Sequence, residues 1–245
     1  MSRPERHEGV GVQNGRLHYV YCYGELTLHM TCLQIADIRQ AFDLGLHLGE
    51  APLIDASLFI GRSSELQTME EILQPDKESR QQRQVVLGGM GGVGKTQLAI
   101  AYAKLHDDAY TSIFWLNATS EITVKTSLKS IVQCFLEVHE YERLDEEQTL
   151  LRVRRWLSDL ANRRWLLIFD NYDDPDLFDI RQYYSHAAQG SIIITTRLPD
   201  FVGGTRVHVQ PLEHVDDSLQ ILATRSQRQN IQIGNTEQVT ISDAD

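Results

Sequence analysis

The chain has 245 residues and a formal net charge of -11, from 34 acidic against 23 basic residues. Its hydrophobic fraction of 42% suffices for one α/β domain with a small appendage, or for two small domains. The acidic balance argues against a chain-wide nucleic-acid or acidic-membrane footprint, and no apolar run reaches the ~18 residues of a membrane span. Cys22, Cys32 and Cys134 are widely spaced, form no C-x-x-C, and gain no zinc spacing from His29. We expect idle or buried thiols in a reducing compartment. Met1 to Glu8 leads into no apolar stretch of the secretory kind. A soluble, cytoplasmic protein is expected.

Residues 1–50 form a region of unknown structure, with residues 51–245 as the main domain. Within the first region, Leu17 to Tyr23 and Leu26 to Cys32 flank Gly24-Glu25 and read as two strands around a tight turn. An isolated hairpin is marginal in water, so a structureless leader is the alternative. No function attaches to it. Phe59-Ile60-Gly61-Arg62 follows, and then Ser63 to Leu73. Ser63 or Ser64 is placed to cap a short helix with Leu66, Met69, Ile72 and Leu73 on one face. Pro75 ends it, and residues 75–84 read as a polar loop.

Val85 to Leu87 is a strand-like run that feeds Gly89-Met90-Gly91-Gly92-Val93-Gly94-Lys95-Thr96, and Gln97 to Leu105 leaves it as a helix. From Gly89 to Thr96 the chain fits G-x-x-x-x-G-K-[ST], the phosphate-binding P-loop. The chemistry needs these residue types. Glycines admit positive φ and turn backbone N–H groups inward as an anion nest. The helix adds its free N-terminal N–H groups. Lys95 then reaches the β- and γ-phosphates, and the Thr96 hydroxyl is a Mg²⁺ ligand. This pattern predicts a nucleoside di- or triphosphate site.

Ser112 to Leu116 is a compact apolar strand, and Ser120 caps a helix carrying Leu128, Ile131, Val132, Phe135 and Val138. A second amphipathic helix spans about Asp145 to Leu160. Trp165 to Phe169 is apolar without alternation, the mark of a strand buried on both faces, and ends in Asp170 and Asn171. An acid at that strand end is the Walker B pattern, which serves Mg²⁺. Gly190 to Thr196 repeats the arrangement and ends in Arg197; if this strand lies next to the P-loop strand, Arg197 points toward the γ-phosphate and can sense or stabilise it, the alternative being a surface arginine on a loop. Arg206 to Val209 is a last short strand, and a helix after Pro211 carries Leu219, Ile221, Leu222 and Ala223. From Ser226 the sequence is polar, without an evident closing element.

Strands alternating with helices make the class α/β with a mostly parallel sheet. Taken together, Phe59 to Arg62, Gly89 to Thr96, Trp165 to Asn171 and Gly190 to Arg197 resemble the ordered motifs of the NB-ARC family, signal-transducing P-loop NTPases of the STAND class. Relatives include NOD-like receptors and plant resistance proteins, and the wording here is most similar to fungal members. The resemblance covers about residues 58–225. It implies a three-layer P-loop NTPase sandwich with a five-stranded sheet of order 2-3-1-4-5, the P-loop strand being flanked by the Asp170 and Arg197 strands. By the same resemblance, Ile60 and Arg62 lie against adenine and ribose, and Gly89 to Gln97 wrap the phosphates. Thr96 and Asp170 serve Mg²⁺, and Asp170 and Arg197 are the catalytic or sensing pair.

Three departures from that family bear on function. Asn171 stands where hydrolysing relatives place a second carboxylate, and an amide orients water without usefully taking its proton. Asp173 or Asp174 is the substitute at hand, so at most slow ATP hydrolysis is expected. The Gly-Leu-Pro-Leu signature of the helical domain does not occur in these 245 residues, and the family's winged-helix domain and C-terminal repeats are expected to be missing as well. The expected function is therefore an ADP/ATP-dependent switch in signalling, innate defence or cell death, with protein partners or self-association. The alternatives are a truncated fragment that associates with full-length receptors, and a turnover ATPase.

Overall fold

The computed structural model describes residues 8–13, 16–23, 26–31, 44–49, 51–53, 59–74, 81–184, 188–199, 203–212, 216–219, 221, 231–233 and 239–241. The chain divides into two units, residues 1–44 and 45–245. In the first, β1 (Glu8–Gln13), β2 (Arg16–Tyr23) and β3 (Leu26–Thr31) form an antiparallel sheet in chain order. Tyr23 pairs with Leu26, so the hairpin read around Gly24-Glu25 is present and a third strand extends it.

The second unit is built on a six-stranded parallel sheet. Its strands are β4 (Gly45–His47), β5 (Arg83–Gly88), β6 (Ser112–Asn117), β7 (Trp165–Asp170), β8 (Ser191–Thr196) and β9 (Thr205–His208). The order is β4-β6-β7-β8-β5-β9, and every pairing is parallel. Two expectations change here. The sheet has six strands rather than five, because Gly45–His47 adds an edge beside β6. The order is not 2-3-1-4-5 either. β8, the Arg197 strand, lies between the P-loop strand β5 and the Asp170 strand β7, so β5 and β7 are not neighbours. Burial explains the choice. All six residues of β8 are buried, as a strand hydrogen-bonded on both edges requires, whereas β9 exposes half of its residues and takes an edge.

Alternation along the strands sorts side chains to two faces. On one face Val85, Leu87, Ile113, Trp115, Leu166, Ile168, Ile193 and Val207 pack with α1 (Ser63–Leu73) and α2 (Lys95–Leu105). The opposite face meets α3 (Glu121–Gln133) and α5 (Glu146–Ser158), with the short α4 (Val138–Tyr141) between them. There Phe114 meets Trp156 edge-on, and the Trp165 indole N–H donates to the Leu157 carbonyl. The result is a helix–sheet–helix sandwich. Ser120 and Asp145 each close a capping box, with Thr123 and Gln148.

At α1 the expected serine cap is absent. Its N-cap is Arg62, left-handed at φ 61° directly after Gly61 at φ 75°, and no side chain caps the helix. Two successive left-handed residues turn the chain into the helix, and Ser64 donates instead to Glu65. After β9, residues 216–219 and 221 are helical, while positions 222 and 223 of the expected stripe lie outside the described residues. The polar tail also contains a short antiparallel pair that sequence reading missed, β10 (Ile231–Ile233) with β11 (Val239–Ile241).

Gly190 enters β8 at φ 78°, and a Cβ there would lie 2.2 Å from the buried Trp165 ring. Left-handed strain and overpacking add at this point. Gly190→Ala is expected to lower unfolding stability by about 2–4 kcal/mol, read by urea denaturation. An unchanged midpoint would contradict this close approach.

Candidate functional site

The loop between β5 and α2 takes its shape from close backbone contacts. Gly88 lies under the Arg206 guanidinium, where a Cβ would come within 2.3 Å, and a Cβ on Gly89 would sit 2.4 Å from the Val209 carbonyl oxygen. The Val209 N–H donates back to the Gly88 carbonyl at 2.8 Å. β9 therefore clamps the start of the loop. Gly92 and Gly94 are left-handed, at φ 78° and 98°, and Gly94 is the N-cap of α2 without any side-chain cap. The helix end thus opens towards the loop with its first N–H groups. Lys95 is buried and donates from Nζ to the carbonyls of Gly89 and Met90, both at 2.8 Å. Burial lowers its pKa, and the nearby Asp173 carboxylate opposes that shift.

Asp170 ends β7. Its Oδ1 accepts from the Thr96 hydroxyl at 2.8 Å and from the Thr195 hydroxyl at 2.7 Å. Burial raises the pKa of this carboxyl, and the two hydroxyl donors partly offset the rise. Thr195 belongs to the central strand β8 and also accepts from the Asn171 N–H at 2.8 Å. Thr195 was not among the residues read from sequence as part of the site. Its signal was its position, two residues before Arg197 at the end of a buried strand. Asn171 is left-handed at φ 65°, a conformation that asparagine tolerates better than glutamate does. Backbone geometry is thus one reason for an amide at this place.

Arg197 leaves β8 beside the loop, since a Cβ on Gly91 would be 3.7 Å from its Cδ. Its Nε donates to Asp173 Oδ2 and its backbone N–H to Asp173 Oδ1, each at 2.6 Å. The side chain remains 60% exposed.

A cleft of about 600 Å³ borders the loop. Ile60, Arg62, Met90, Gly91, Gly92, Val93, Gly94 and Gln97 all line it, as does Phe59. The Arg62 guanidinium is largely committed, donating to the Val93 carbonyl at 2.7 Å and to Glu65 at 2.8 Å. It ties the Phe59–Arg62 segment to the loop. Pro211, Leu212, Ser218 and Ile221 complete the lining, and none of them is singled out from sequence for the site. The only signal there was an apolar stripe after a proline. Gly61 closes against the same segment, where a Cβ would come within 3.1 Å of the Asp217 carboxylate and 3.2 Å of Leu212. Among the described residues there is no cluster of three or more metal-binding side chains, and no helix is long and apolar enough to cross a membrane.

Comparison with known proteins agrees with this architecture. The chain is 29% identical over 192 residues to a nucleotide-binding leucine-rich repeat (NLR)-like protein of the fungus Hyaloscypha variabilis, covering 71% of this chain and 19% of that protein. It is 32% identical over 131 residues to an uncharacterized WD repeat-containing protein of the cyanobacterium Nostoc, covering 50% of this chain and 10% of the relative. It therefore spans less than a fifth of the length of these curated relatives. Among solved structures, Cdc6p of Pyrobaculum aerophilum superposes with a TM-score of 0.51 at 14% identity, over 71% of this chain and 54% of that one, a likeness of fold alone. The NB-ARC domain matches residues 65–231, which take in the loop, Asp170, Arg197 and the cleft-lining residues Pro211 to Ile221. On that match and this fold, the chain belongs to the NB-ARC family.

Proposed function

We propose that this NB-ARC domain binds ADP or ATP with Mg²⁺ and works as a nucleotide-dependent molecular switch in signalling, innate defence or cell death. One observation carries the reading: the P-loop, the Thr96–Asp170 pair and Arg197 converge at the carboxyl ends of three adjacent strands, beside a cleft large enough for a nucleoside. The residues present fit such a ligand. The loop glycines and the uncapped start of α2 offer N–H groups to phosphate oxygens, and Lys95 supplies a cation. Phe59, Ile60, Pro211 and Leu212 offer apolar surface for a base. The Thr96 hydroxyl and Asp170 Oδ1 are the two protein oxygens that would hold Mg²⁺, directly or through water, and the bound metal neutralises phosphate charge.

Switching requires that the two nucleotide states bind with different free energies. Arg197, beside the loop and exposed, is the group that contacts a γ-phosphate in this reading. Turnover is slow in the same reading. Asn171 is no base, and both carboxylate oxygens of Asp173 are engaged by Arg197. In the same reading the chain acts in signalling in the cytoplasm, through association with other proteins or with itself, and the likeness to a nucleotide-binding leucine-rich repeat (NLR)-like protein supports the nucleotide-binding part.

Nucleotide at 1,000 times its Kd stabilises a folded binder by about 4 kcal/mol, so excess ADP or ATP with Mg²⁺ is expected to raise Tm by several degrees. Lys95→Ala should abolish that rise, measured by thermal shift. Equal melting of the unmutated protein with and without nucleotide would refute the binding claim.

Asp170 yields two further outcomes. Asp170→Asn should remove the Mg²⁺-dependent part of nucleotide affinity in calorimetric titration while leaving affinity in chelator largely intact. Because burial raises the carboxyl's pKa, the Mg²⁺ effect in the unmutated protein should begin to fail above the ordinary aspartate range as pH falls. The stability sign is opposite. A raised carboxyl pKa gives stability that is present at low pH and lost as pH rises through the folded-state value. Without nucleotide, Asp170→Asn should therefore melt higher than the parent at neutral pH, with the gap closing in acid.

A further inference from the structure

Asp173 is the most engaged acid near the loop for which the proposed function has no positive role. It lies three residues beyond Asp170, in the turn after β7, and its side chain is only 15% exposed. Oδ1 accepts from the Arg197 backbone N–H at 2.6 Å and more distantly from the Thr196 hydroxyl at 3.5 Å, and Oδ2 accepts from Arg197 Nε at 2.6 Å. Both oxygens of the carboxylate thus make their short contacts with Arg197. The contact fixes the start of the Arg197 side chain by its main chain and the far end by Nε. Among the described residues the terminal Nη groups make no hydrogen bond, and the arm between passes the loop at Gly91. An exposed arginine otherwise samples many rotamers, which costs binding free energy when it must be ordered on a ligand.

We propose that Asp173 is a positioning residue, which holds the Arg197 guanidinium by its Nε edge so that the terminal Nη groups face the P-loop and discriminate a terminal γ-phosphate from its absence. The proposal rests on the reading of Arg197 as the γ-phosphate contact. It also assigns Asp173 a duty other than the general base that Asn171 leaves wanting, since a carboxylate clasped through both oxygens is poorly free to take a proton from water. Asp173 opposes the depression of the Lys95 pKa as well, so its charge is felt inside the loop. A negative charge there weakens phosphate binding in general. Neutralising it should therefore favour ADP and ATP alike, and only the ratio of the two affinities isolates positioning.

The test measures ATP and ADP affinities, with Mg²⁺, by calorimetry on the full chain and on Arg197→Ala, Asp173→Asn and the double variant. A hydrogen bond to a charged group is worth about 1.5–3 kcal/mol, so Arg197→Ala should lower the ATP:ADP affinity ratio roughly 10- to 100-fold. Asn keeps an oxygen for the Arg197 N–H but offers Nε no second acceptor, and Asp173→Asn should lower the ratio at least about threefold. The double variant should match Arg197→Ala alone, because the two residues act through one contact. If Arg197→Ala lowers the ratio but Asp173→Asn leaves or raises it, positioning is overturned while the sensor reading stands. If Arg197→Ala leaves the ratio unchanged, the sensor reading falls and takes the inference with it. Should Asp173→Asn fail to fold by its nucleotide-free Tm, Asp173→Ser retains one acceptor and reads the same ratio.

Discussion

The parallel pairing of β8 with β5 on one side and β7 on the other is the constraint on which the site depends. Register aligns Arg83 to Gly88 with Ser191 to Thr196, and Leu166 to Phe169 with Ser191 to Ile194. Three strands pointing the same way deliver three kinds of group to one edge: the glycine loop from β5, Thr195 and Arg197 from β8, and Asp170 from β7. Any slip of one residue in β8 would turn Thr195 to the other face and leave Asp170 without its second hydroxyl donor. The apolar content of these strands holds them in place, since Val85, Ile168 and Ile193 are fully buried.

Polarity at that edge is concentrated in a few well-partnered groups. Thr195 donates to Asp170 and accepts from the Asn171 N–H, so one buried hydroxyl orients both the acid and the turn that follows it. The loop is held from behind by β9 and from the front by Arg62, whose guanidinium takes the Val93 carbonyl. Lys95 is satisfied by loop carbonyls. These contacts keep a backbone rich in left-handed glycines in one shape, which lowers the ordering cost of any ligand it receives.

Much of this was legible in the chain itself. The glycine pattern from Gly89 to Thr96 has few solutions, because its chemistry demands particular residues at particular spacings. Unbroken apolar runs at Trp165 to Phe169 and Ile192 to Ile194 announced buried parallel strands, and Ser120 caps its helix as its side chain allows. The α1 cap was less legible, since a left-handed Arg62 after Gly61 is a backbone event that no side-chain preference signals. Short edge strands were hard for the same kind of reason. Gly45–His47 and Ile231–Ile233 have three residues each, too few to show a period.

The sequence by itself determined the α/β class, the P-loop, and the acid and arginine at the ends of two buried strands, because each of these rests on local residue type and spacing. Only the tertiary structure decided that β8 separates β5 from β7, that Thr195 bridges to Asp170, that Asp173 grips Arg197, and that Pro211 and Leu212 join Ile60 in lining the cleft. Strand order and cross-loop contacts join residues tens of positions apart. They are settled by which apolar faces pack together with least exposed surface, a global competition that local patterns do not record.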